Sequence, residues 1–131
     1  MIRRSVVHMA AAALALCLGC VRVSRSATEQ RVVELPKNDP RATIQACQAI
    51  RQSLINEGLE ARIRTQFPNL TTDQLSGIFI SCTSTVFKEG GQGTIALVGV
   101  QYQAPYPESK QVADSLEAAT RKAVERFFST N

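Results

Sequence analysis

The hydrophobic period changes several times along this chain, and each change predicts an element. Ile44, Cys47, Ile50 and Leu54 recur at spacings of three, three and four, which gathers them on one face of a helix. Asp39-Pro40 begins that helix, because Asp accepts from freed N–H groups and Pro fits the first helical position. Gly58 supplies its left-handed stop. From Leu59 the period falls to two. Leu59, Ala61, Ile63, Thr65 and Phe67 alternate with Glu60, Arg62, Arg64 and Gln66, which predicts a half-buried strand with a charged outer face, ended by Pro68-Asn69.

Two more strands follow. Thr71-x-x-Gln74 opens either a capped helical turn or a plain turn. Residues 76–87 then read as a strand with Ile78, Ile80, Cys82 and Val86 on one face and Phe79, Ser81, Thr83, Thr85 and Phe87 on the other. Residues 88–93 carry three glycines and predict a hairpin loop. Residues 94–103 form the return strand, with Ala96, Val98, Val100 and Tyr102 facing one way, Ile95, Leu97 and Gln101 the other, and Gly99 a candidate bulge. After the stiff Pro105-Tyr106-Pro107 corner, Val112, Leu116, Ala119, Ala123 and Phe127 mark a second helix over 108–128. Earlier in the chain, Arg31-Val32-Val33-Glu34-Leu35 predicts a short first strand ended by Pro36. The order is β-α-β-β-β-α. The expected fold is a two-layer α/β (α+β) sandwich, a four-stranded mixed sheet with two helices on one face. It places Cys47 over Cys82.

The segment before these elements is of another kind. Val6 to Leu18 is apolar except for His8 and follows Arg3-Arg4. It is shorter than the roughly 20 residues of a membrane helix, but it suits the core of an export signal. Leu16-Cys17-Leu18-Gly19-Cys20 closes it and resembles a bacterial lipobox, with Cys17 where that family usually has Leu. The resemblance implies a lipoprotein: residues 1–19 are removed as signal peptide, and Cys20 is acylated, palmitate being the expected chain. Val21 in place of Asp implies the outer membrane, with the domain on its periplasmic side. The competing readings are secretory cleavage after Ser26 and a retained membrane helix, which the short run and Arg22 and Arg25 disfavour. Residues 20–30 are polar and read as a flexible tether, which leaves 31–131 as one small domain.

Composition then narrows the chemistry. The full chain has 15 Lys and Arg against 11 Asp and Glu, and Arg3 and Arg4 leave with the signal. The remaining cations are scattered, so no nucleic-acid footprint is present. His8, the one histidine, also lies in the signal, and Trp is absent. Without histidine the mature chain cannot build a Ser-His-Asp or Cys-His site or a histidine-ligated metal centre. No enzyme activity, cofactor or metal is therefore expected. Cys47 and Cys82 read as one disulfide in an oxidising compartment, or else as two buried thiols.

Ser53-Leu54-Ile55-Asn56-Glu57-Gly58-Leu59, an amphipathic helix running through glycine toward a strand, resembles small outer-membrane accessory lipoproteins, among them the lipopolysaccharide-assembly lipoprotein. The expected function is that of a membrane-anchored accessory protein binding a protein partner in an envelope transport, secretion or assembly complex. If the helices cover one sheet face, the other presents Phe79, Phe87, Ile95 and Leu97 beside Arg62 and Arg64 as the partner surface. The alternatives are a small-molecule or lipid carrier with its cleft between helices and sheet, and a structural or exclusion lipoprotein of a mobile element.

Overall fold

The computed structural model of the protein describes residues 27–103 and 106–130. The elements run β1 (Ala27–Glu34), α1 (Pro40–Asn56), α2 (Leu59–Gln66), α3 (Thr72–Ser76), β2 (Ile78–Val86), β3 (Gln92–Tyr102) and α4 (Ser109–Thr130). The strands form one antiparallel sheet in the order β1-β3-β2. The α+β class is as expected. The sheet, however, has three strands rather than four, and it is antiparallel rather than mixed.

The missing strand is α2. A spacing of four residues belongs to both periods, since it is two steps of a strand and about one turn of a helix. Leu59 and Ile63 are buried, while Ala61 and Thr65, which a strand would have turned inward with them, are exposed. The residues between are good helix formers, and Glu60 pairs with Arg64 one turn on at 3.5 Å. Gly58, at φ 80°, ends α1 and starts α2.

Local chemistry sets the other boundaries. The Asp39 carboxylate accepts from the Ala42 N–H at 3.2 Å, with Pro40 in the first turn of α1. Thr71 and Gln74 exchange both bonds of a capping box, at 2.9 and 3.2 Å, which opens α3. Gly90 and Gly91 take positive φ in the β2–β3 hairpin. Gly99 is not a bulge, because pairing with Gln30 and with Phe79 runs through it without interruption. A side chain there would overlap the Glu29 carbonyl, so glycine permits the close approach of β1. β1 is longer than the expected 31–35, since Ala27–Gln30 are also paired with Gly99–Tyr102.

Both long helices pack on one face of the sheet. Cys47 of α1 is disulfide-bonded to Cys82 of β2, with Cα atoms 6.0 Å apart. Close by on β3, the Thr94 hydroxyl donates to Thr43 of α1 at 3.0 Å inside the core. On the β1 side, Asp114 of α4 pairs with Arg31 at 3.2 Å. Val33, Ala96, Val98 and Val100 from the sheet meet Ile50, Leu54, Val112 and Leu116 from the helices in one core. Burying each of the larger side chains contributes about 1.5–3 kcal/mol.

Candidate functional site

Strand alternation divides the sheet in two. Thr94, Ala96, Val98 and Val100 of β3 are buried beneath the helices, while Ile95 and Leu97 turn to the opposite face and stay half-buried. No helix among the described residues packs on that opposite face. Leu97 sits directly across from Val32 of β1, which is 44% exposed. Phe79 of β2 pairs with Gly99, one diagonal step from Leu97. Val32, Phe79, Ile95 and Leu97 therefore form a continuous apolar strip across all three strands. Ser81, Thr83 and Gln101 border it.

The expected partner residues thus separate. Phe79, Ile95 and Leu97 come together. Phe87 lies at the hairpin end, where its ring fills the space over Gly93 and the Lys37 ammonium sits 4.9 Å from its centroid. It locks the hairpin. Arg62 and Arg64 are on α2, not on a neighbouring strand. Arg62 lies in a shallow hollow between α2 and α4 with Ser115 and Lys122. Arg64 reaches Phe79 by another route, since both line a groove of about 780 Å³ beside β2. Cys20, the expected lipidation site, is outside the described residues.

The groove was not legible as a site. Its floor is Leu75, Ile78 and Ile80, and one wall is Ile55 of α1, an aliphatic side chain left 50% exposed. Arg51 and Arg64 stand at the rim, the latter paired with Glu60. The sequence signal was Ile55 beside Leu54, off the buried stripe of α1. Val32 also carried a signal, because it must face away from the buried Val33.

The remaining chemistry is sparse. Among the described residues no three potential ligands converge on a metal position, and no helix is long and apolar enough to cross a membrane. Tyr106 packs edge-on against Tyr102 at 5.2 Å, and its buried hydroxyl has no hydrogen-bond partner among the described residues. Burial raises its pKa above the usual phenol value, with smaller contributions from Tyr102 and Glu108. No protein-family model matches the chain, and comparison with curated proteins and with solved structures finds no match.

Proposed function

We propose that this protein is a lipid-anchored accessory protein of the bacterial envelope, held at the membrane through Cys20, whose uncovered sheet face docks a protein partner. The supporting observation is the one-sided packing of the helices, which leaves Val32, Phe79, Ile95 and Leu97 as an apolar strip with a polar border. A strip of this kind with a polar rim is the anatomy of a protein interface. The anchor fits the early start of β1. From Cys20 to Ala27 is seven residues, an extended reach of at most about 25 Å. So short a tether keeps the domain at the membrane surface, where an outer-membrane partner would be met.

Two measurements test the two halves of this proposal. Intact mass of the membrane-fraction protein should correspond to a chain beginning at Cys20 plus acyl groups. A mass beginning at Ala27 without lipid rejects the anchor. A photo-crosslinking residue at Leu97 should then capture one envelope protein in living cells, while the same residue at Lys122, exposed on α4, captures none. Equal capture from both positions rejects the sheet face as the docking surface.

A further inference from the structure

β2 is an edge strand of the sheet, and among the described residues no strand pairs with its outer side. Gly77 accepts from the Gln101 N–H at 2.9 Å, and the Phe87 N–H donates to Gly91 at 3.1 Å, so the odd-numbered residues of β2 bond to β3. In an antiparallel ladder the alternate residues then turn their N–H and C=O groups outward. Those residues are Ile78, Ile80, Cys82, Ser84 and Val86. Among the described residues no hydrogen bond to these outward groups is present, and from Ile78 to Phe87 there is no charge, no proline and no glycine. Such an edge is a template for another strand.

The strand's two ends are complementary to each other. Val86, at one end, is 70% exposed, the most exposed large aliphatic side chain among the described residues. The other end, at Ile78 and Ile80, opens into the apolar groove walled by Ile55. Both lie on the helix side of the sheet, since all three are even-numbered along β2. A two-fold axis perpendicular to the sheet, passing midway between Cys82 and Cys82 of the copy, exchanges these ends and sets Ile78 opposite Val86 of the copy.

We infer that β2 pairs antiparallel with β2 of a second copy of this chain, each Val86 entering the other's groove beside Ile55 and Ile78. The two sheets then form one six-stranded sheet with both helix layers on the same side, and the two apolar strips lie on one continuous face. The uncharged strand brings no like charges into register, and a two-fold interface is by its nature self-complementary. This pairing is independent of the partner-docking proposal, because it uses the strand edge rather than the sheet face.

The full chain, purified in a mild detergent, tests it by sedimentation equilibrium and amide hydrogen exchange. The expected result is a reversible dimer in which the Ile80, Cys82 and Ser84 amides exchange more slowly as concentration rises. The Ser81 and Thr83 amides, bonded to β3, are protected throughout. Val86→Lys places a cation among Ile55 and Ile78, near Arg51 and Arg64, and should weaken the dimer by about a hundredfold or more. Val32→Lys, on the opposite edge, should leave it intact. A monomer at every concentration overturns the pairing, as does a dimer whose Ile80, Cys82 and Ser84 amides still exchange freely. Undiminished association of Val86→Lys overturns it too.

Discussion

β1 and β2 flank the same central strand, yet their outer sides are furnished differently. On β1 the outward carbonyls of Gln30 and Val32 accept from Arg31 at 3.1 Å and from Arg121 at 3.2 Å. Three charged residues, Glu29, Arg31 and Glu34, punctuate the strand, and Arg31 ties it to Asp114 of α4. On β2 no charge interrupts the strand, and no side-chain cap on its outward carbonyls is seen among the described residues. Charges and side-chain caps are how natural sheets discourage unwanted pairing. The contrast teaches that this protein protects one edge and leaves the other open. β2 is instead held in place from within, by its ladder to β3 and by the covalent link from Cys82 to Cys47.

The largest test of that difference removes the covalent link. Cys47→Ala with Cys82→Ala opens a loop whose ends are 35 residues apart in sequence. The loop-entropy relation puts the loss near 4 kcal/mol. A urea unfolding midpoint should report it, and hydrogen exchange should show α1 and β2 loosening together while β1 stays protected. A loss below about 1 kcal/mol would mean that packing of Ile50 and Leu54, rather than the bond, holds α1 on the sheet.

The second test acts on the other edge. Gly99→Ala places a methyl group against the Glu29 carbonyl and the Gln30 backbone, so β1 must retreat from β3. The expected cost is about 2–3 kcal/mol, that of overpacking a closely fitted site. It should appear as lost amide protection at Arg31 and Val33, with the β2 amides bonded to β3 unaffected. Uniform loss across all three strands would show that the sheet unfolds as one unit and that its edges are not separately held.

What was readable in advance follows the same division between local and long-range causes. Asp39-Pro40, Gly58, Thr71 with Gln74, and the hairpin glycines act within a few residues, so their chemistry was visible in the chain. Leu59, Ile63 and Phe67 were not decisive, because a four-residue step suits either period and only tertiary packing shows which side chains are buried. Reading them as a strand added a fourth member to the sheet and hid the open edge of β2. It also carried Arg62 and Arg64 to the wrong neighbours. Phe79, Ile95 and Leu97 share a sheet face as expected, because period-two alternation fixes the face of a strand residue whatever its neighbours. Val86 shares the face of Ile78, Ile80 and Cys82 as expected. Its exposure depends on how far the helices extend over the sheet, and no sequence period encodes that.

The smallest effect on stability is expected where the caps themselves are removed. Arg31→Ala with Arg121→Ala deletes the donors to Gln30 and Val32 along with ion pairs to Glu29, Asp114 and Glu117. These pairs are partly or largely solvent-exposed, so their loss should cost no more than about 1 kcal/mol in the urea midpoint. The consequence should lie in association instead. With its outward carbonyls uncapped and one intrinsic charge gone, β1 comes to resemble β2, and a second route to strand pairing opens. Sedimentation of the double variant should show species larger than those of the parent chain, and adding Val86→Lys should leave this new association in place. If Val86→Lys abolishes it, association still runs through β2 and the arginines do not guard the β1 edge. If the double variant associates no more than its parent, the remaining Glu29 and Glu34 suffice to protect β1, and the difference between the two edges rests on the charge pattern of the strands rather than on the capped carbonyls.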